Sequence, residues 1–164
     1  MSNKLLVVIG GPTGVGKTDM AIRLARHYQT EIICADSRQV YTELNIGVGR
    51  PSASQLNAIP HHLIGHISIH QDYSVAHYTN QALHILDELF LHHDMVILTG
   101  GTGLYVKAIM EGFDDIPKVE EGITERWTAL WKEQGIESLL KSLKDLDPAY
   151  LDIVDKANPR RIIR

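Results

Sequence analysis

Lys4-Leu5-Leu6-Val7-Val8-Ile9-Gly10-Gly11-Pro12-Thr13-Gly14-Val15-Gly16-Lys17-Thr18 stands near the N-terminus and decides how the rest of the chain is read. Residues 4–9 form a continuous apolar run stopped by two glycines, the pattern of a strand buried on both faces in a parallel sheet. Residues 11–18 fit G-x-x-x-x-G-K-[ST], and Thr18 to His27 carries Ala21, Ile22, Leu24 and Ala25 at helical spacing with charge opposite. Strand, glycine loop and helix in that order are the context a P-loop requires. Its successive backbone N–H groups and the helix N-terminus make a concave anion site. Lys17 adds a mobile positive charge for a terminal phosphate, and the Thr18 hydroxyl suits Mg2+. Gly11, Pro12, Thr13, Gly14, Val15, Gly16, Lys17 and Thr18 are therefore the expected phosphate-binding set, with Thr18 as metal ligand.

Outward from this unit the period continues to alternate. Glu31 to Ala35 predicts a second short strand with Asp36-Ser37 at its C-terminal end, the edge where open α/β sheets bind ligands. Thr42 to Gln71 is broken by Gly47, Gly49, Pro51, Pro60 and Gly65 and reads mostly as loop, with a short segment near His62–Ile64. A helix capped by Ser74 is expected to turn Ala76, Ala82, Leu86, Leu89 and Phe90 towards a core. Met95–Thr99 predicts another buried strand, followed by Gly100-Gly101-Thr102-Gly103 and a helix over Leu104–Met110. The fold class expected is α/β, a P-loop NTPase-like doubly wound parallel sheet over residues 1–116.

Beyond Pro117 the pattern becomes helical. Ile123–Gln134 and Ile136–Lys144 predict charged amphipathic helices, and Asp147-Pro148 and Asn158-Pro159 are helix starts with proline just inside. Residues 117–164 are read as an appended helical segment. The sequence stops at Arg164 as a new helix begins, which reads as C-terminal truncation.

The 164 residues are 44% hydrophobic and 22% charged, enough for one core-bearing domain and incompatible with disorder. No apolar run approaches membrane-spanning length, and the N-terminus lacks the apolar stretch of a signal peptide. With the single Cys34 excluding an internal disulfide, a cytoplasmic protein is expected. A net charge of −4 argues against a protein held on nucleic acid by overall positive charge, so any nucleic acid must be bound locally.

Ordinary P-loop NTPases close the Mg2+ site with an acid at the end of a neighbouring strand, but Val96-Ile97-Leu98 runs into Thr99 and glycines. The carboxylate placed at a strand end is Asp36. It has three readings: a Mg2+ partner, a general base facing an acceptor nucleophile, or a loop cap bonding nearby backbone.

Gly11–Thr18, Ala35-Asp36-Ser37-Arg38-Gln39-Val40-Tyr41, Ile46-Gly47, Pro60-His61-His62-Leu63, Tyr73-Ser74, Gly100-Gly101-Thr102-Gly103-Leu104-Tyr105 and Asn158-Pro159-Arg160-Arg161 together resemble the tRNA dimethylallyltransferases, also called tRNA isopentenyltransferases. The segments occur in family order along nearly the whole chain. The resemblance implies transfer of a dimethylallyl group from dimethylallyl diphosphate to N6 of adenosine 37 in the tRNA anticodon stem-loop. Asp36 would then be general base, and Lys17, Thr18 and Mg2+ would stabilise the diphosphate leaving group. It further implies tRNA contacts from Asp36, Ser37, Arg38, Gln39, Thr102, Thr124, Arg160, Arg161, Ile162, Ile163 and Arg164, by an enzyme expected to be monomeric. Alternatives sharing the loop and the strand-end acid are a P-loop kinase of small molecules and a prenyltransferase acting on free adenine nucleotide. This chain departs from the family pattern at Gly14-Val15, at Arg50, where lysine is frequent, and at Thr124, where arginine is frequent. Family chains also continue past the basic segment, so the 164 residues alone are expected to be weakly active or inactive.

The remaining features are read as structural. His61-His62, His66, His70 and His92-His93 share no ligand spacing with Cys or a carboxylate and are taken as loop and surface histidines. Trp127 and Trp131, four apart, are packing anchors, and Cys34 is a small buried side chain.

Overall fold

A computed structural model describes residues 4–112 and 119–164. The chain divides into two units, residues 1–114 and 115–164. The expected boundary beside Pro117 lies outside the described residues.

In the first unit, β1 (Leu5–Gly10) leads through the glycine loop into α1 (Lys17–Tyr28), then β2 (Ile32–Cys34), α2 (Ala53–Ala58), β3 (His61–His62), α3 (Val75–His92), β4 (Met95–Gly100) and α4 (Gly103–Glu111). The four strands form one parallel sheet in the order β1-β4-β2-β3. The last strand thus lies between the first two. Leu5 to Gly10 pairs in register with Met95 to Gly100, and Ile32 to Cys34 with Ile97 to Thr99.

Side chains alternate across this sheet, as the two-residue period demands. Ile32 and Ile97 meet Ala21, Ile22 and Ala25 of α1 on one face, whereas Ile33, Val96 and Leu98 meet Tyr78, Ala82, Leu89 and Tyr105 of α3 and α4 on the other. Both faces are covered, which explains why these strands read as unbroken apolar runs. Each fully buried Ile or Leu among them contributes about 1.5–3 kcal/mol of transfer free energy.

The Thr42–Gln71 stretch, expected to be mostly loop, contains α2. Its start is a reciprocal capping box: Gln55 N donates to Ser52 Oγ at 3.3 Å, and Ser52 N donates to Gln55 Oε1 at 2.8 Å. The short segment expected at His62–Ile64 is β3, one residue earlier. In α3 the inward stripe is Tyr78, Ala82, Ile85 and Leu89, and Ala76 is exposed. Two positions from Tyr78, Ala76 falls on the far side of the helix. Tyr78, fully buried, stacks on Tyr105 with ring centroids 3.8 Å apart and ties α3 to α4.

The second unit contains α5 (Ile123–Gln134), α6 (Ile136–Leu146), α7 (Pro148–Ile153) and α8 (Pro159–Ile163). Asp147 and Asn158 cap the last two, accepting from Tyr150 N at 2.9 Å and Arg161 N at 3.3 Å, with proline as first helical residue in each. Leu139, Val154 and Ile162 form its small core, with Trp127 and Trp131 packed against it. Among the described residues no helix is long and apolar enough to cross a membrane.

Candidate active site

The glycine loop ends at Gly16, whose φ of 88° is left-handed backbone that glycine adopts without strain, and α1 begins at Lys17. Lys17 Nζ donates to Pro12 O at 2.6 Å, so the side chain curls over its own loop. Thr13, Gly14, Gly16, Lys17 and Thr18 line a cavity of about 280 Å³ at the C-terminal edge of the sheet. Gly11 and Pro12 line an adjacent groove with Gly100, Gly101, Val106 and Met110. Val15 is 61% exposed and lines neither.

Asp36 lines the same cavity, although it is only 9% exposed. Its Oδ1 accepts from Arg38 N at 3.0 Å and from Gln39 N at 3.3 Å, the geometry of an Asx turn. Its Oδ2 lies on the Gly101 side, where a Cβ would stand 3.6 Å away. One oxygen is therefore held by backbone while the other is on the glycine face of β4's end. Loop capping and cavity chemistry are both open to this carboxylate, because they use different oxygens.

Ser37 and Thr102, from motifs far apart in sequence, meet here. Ser37 N donates to Thr102 Oγ1 at 2.9 Å, Thr102 Oγ1 donates to Ser37 Oγ at 3.2 Å, and Thr102 N donates to Ala35 O at 3.0 Å. Gln39 Nε2 donates to Val48 O and Gly49 O, both at 3.1 Å, and its Oε1 accepts from Cys34 Sγ at 3.3 Å. The Gln39 side chain, expected on the target nucleotide, is thus bonded to the loop before Arg50. Arg38 is exposed.

Burial first, and then the Asp36 charge, pushes the Cys34 thiol up to about 12, so it stays protonated and unreactive at neutral pH. Cys34 lines the cavity without being a nucleophile.

Arg50, Gln55 and His61 also line the cavity; Arg50 stood out in the sequence only as a departure from the family pattern, His61 only as a loop histidine, and Gln55 not at all. Gln55 could have been found from the S-x-x-Q spacing of its capping box; its Nε2 donates to Asp19 Oδ1 at 2.7 Å and links α2 to α1. His61 Nδ1 bonds Ile59 O at 2.8 Å, which places the hydrogen on Nδ1. Burial holds its basicity below the usual 6.5, and the same cause acts on His66. In the folded state both rings therefore take up a proton at lower pH than in the unfolded chain, so stability is lost as pH falls through the window below 6.5. Melting temperature is expected to drop between pH 7.5 and 5.5, and less in His61→Gln; an equal drop in that variant would assign the effect elsewhere.

Among the described residues no group of three His, Cys, Asp or Glu is placed to hold a metal. Thr18, Asp19 and Asp36 do present hard oxygen atoms around the cavity. Such a set suits Mg2+ when substrate phosphate supplies further ligands.

In the helical unit, Arg160, Arg161 and Arg164 are exposed and none is in an ion pair among the described residues. Thr124 is exposed at the start of α5. Ile162, expected to touch RNA, has its side chain buried against Leu139 and Val154, and Ile163 is packed on the same core.

The family model described as IPP transferase matches residues 39–164. tRNA dimethylallyltransferase 1 of Bacteroides thetaiotaomicron is 46% identical over 96% of this chain and 51% of its own length. The tRNA dimethylallyltransferase of Christiangramia forsetii is 48% identical over 100% and 54%. The chain spans about half the length of the curated relatives it matches. Among solved structures, the tRNA isopentenylpyrophosphate transferase of Bacillus halodurans superposes with a TM-score of 0.65 at 32% identity, covering 99% of this chain and 54% of that one. A eukaryotic dimethylallyltransferase acting on tRNA gives a TM-score of 0.84 at 24% identity over 99% and 40%, a likeness of fold. The family model spans the second glycine segment and the basic C-terminal helix, and the relatives matched along nearly the entire chain extend the likeness over the phosphate loop and Asp36; together they establish that this protein belongs to the IPP transferase family.

Proposed function

We propose that these residues carry the diphosphate-binding and proton-accepting machinery of a tRNA dimethylallyltransferase. The observation behind this reading is the Asp36 carboxylate lining one cavity with Lys17 and Thr18. A leaving diphosphate and a proton acceptor are what alkylation of a weak amine nucleophile needs side by side.

In the proposed reaction, N6 of adenosine 37 attacks C1 of dimethylallyl diphosphate. The C1–O bond breaks, diphosphate leaves with its electron pair, and the N6 proton passes to Asp36 Oδ2. Lys17 and the loop N–H groups stabilise charge gathering on the departing oxygens. Mg2+, when bound at Thr18 with the donor, supplies further neutralisation of that charge. The adenine must leave its stack to reach a cavity of this size, which makes base extrusion part of the proposal. The Ser37–Thr102 hydroxyl pair beside Asp36 offers donors and acceptors to the extruded base, with Arg38 available to the adjoining backbone. Arg160, Arg161 and Arg164 are assigned to tRNA phosphates, and Thr124 to a weaker contact than arginine would give. The Ile162 side chain is assigned to packing. The enzyme is proposed to act as a cytoplasmic monomer.

The test is mass spectrometry of tRNA after incubation with dimethylallyl diphosphate, Mg2+ and the protein. A gain of one C5H8 unit on the adenosine beside the anticodon is expected, at most weak with these 164 residues and robust with a chain extended to the length of the relatives, and its loss in Lys17→Ala. Transfer of the γ-phosphate of ATP to a small-molecule hydroxyl, with tRNA unmodified, would replace this reading with a kinase.

A further inference from the structure

We propose that Arg50 is a second cationic ligand of the donor diphosphate, a role resting on the diphosphate reading above. Arg50 is half-buried and lines the cavity together with Lys17. The other charged carboxylates and cations of that lining are Lys17, Asp19 and Asp36, and His61 is held neutral by burial. Without Arg50, one lysine would stand against two carboxylates, a poor receptor for a multiply charged anion. With it the lining is balanced before any metal binds.

The guanidinium is placed rather than free. Its Nη1 donates to Asn45 Oδ1 and, at 3.5 Å, to Thr42 O, while Nη2 rests on the bare Cα of Gly65, where a Cβ would collide with it. No carboxylate pairs with it among the described residues. Its backbone is fixed as well: Gln39 holds the carbonyls of Val48 and Gly49, and Gly49 lies so close to Thr13 of the phosphate loop that a Cβ there would stand 3.3 Å from its methyl. A chain of contacts from the strand-end motif thus anchors a half-satisfied arginine beside the phosphate loop. Planar N–H donors left unpaired at an anion cavity bind phosphate oxygens with charge-assisted hydrogen bonds.

The experiment is calorimetric titration of the protein with inorganic pyrophosphate and Mg2+ at two salt concentrations. Arg50→Gln is expected to weaken binding by about tenfold or more and to flatten its salt dependence. Arg50→Lys keeps the charge but not the planar donors, and is expected to bind between wild type and Arg50→Gln with the salt dependence preserved. Gly65→Ala leaves arginine in place but pushes the guanidinium off its seat, and is expected to weaken binding in a protein whose Arg50 is intact. Wild-type affinity in Arg50→Gln, alongside lost binding in Lys17→Ala, would overturn the role of Arg50 and leave the diphosphate reading standing. Absence of pyrophosphate binding by wild type would overturn both. If Arg50→Gln does not fold, the Lys and Gly65 variants decide: a flattened salt dependence in Arg50→Lys, or no loss of affinity in Gly65→Ala, counts against the proposal.

Discussion

Asp36→Asn is expected to lower kcat for prenyl transfer by about 10²- to 10⁴-fold, the range of a lost general base, with pyrophosphate affinity nearly unchanged. The amide separates the two duties of this side chain. Asn retains a carbonyl oxygen that accepts from Arg38 N and Gln39 N, so the turn after β2 keeps its bonds at 3.0 and 3.3 Å. It cannot take a proton from N6. Asp36→Ala loses both duties, and its melting temperature is expected to fall where that of Asp36→Asn does not. Single-turnover transfer measured by mass spectrometry of tRNA, with calorimetry for pyrophosphate, checks the pair. Full activity in Asp36→Asn would reduce Asp36 to a turn cap, and equal loss of pyrophosphate binding in Asp36→Asn and Lys17→Ala would move it to the metal site.

Gly100→Ala is expected to destabilise the first unit by at least about 3 kcal/mol and to abolish Lys17-dependent pyrophosphate binding. A Cβ at Gly100 would lie 2.7 Å from Cα of Ala35 and closer still to its carbonyl. Those are backbone atoms of the segment that continues β2 into Asp36, so they cannot rotate away. Either β4 separates from β2, or the Asp36 turn shifts out of the cavity. Gly103→Ala provides the contrast, because that Cβ would meet nothing within 4 Å and the residue begins α4. There alanine is expected to be neutral or to stabilise by about 0.5–1 kcal/mol. Urea melts of the two variants give the comparison, and a Gly100→Ala protein as stable as wild type would refute the close approach.

The contrast also shows what a sequence carries. Gly100 and Gly103 are equivalent in a G-G-T-G string; only the approach of Ala35, 65 residues earlier, distinguishes them. β1, α1, β4 and α5 were legible because their apolar period is long and unbroken. Short α2 buries no residue fully and announces itself only through Ser52 and Gln55. The P-loop and Asp36 were legible from spacing, since their chemistry comes from adjacent residues. That Arg50 and His61 join the same cavity was not, because they come from a segment without period whose path depends on the Gln39 bonds. Strand order was likewise hidden: parallel strands joined by helices permit several orders, and handedness alone does not choose among them.

That order bears on how the protein comes to be folded. β1 has β4 as its sheet neighbour, and β2 reaches β1 only through β4. A nascent chain that has emerged as far as Asp94 carries the whole phosphate loop but, among the described residues, no strand to hydrogen-bond beside β1. Because that pairing closes a loop of nearly ninety residues, its entropy must be met before the contact rewards it. The phosphate loop is therefore held in shape by a strand that is synthesised long after it.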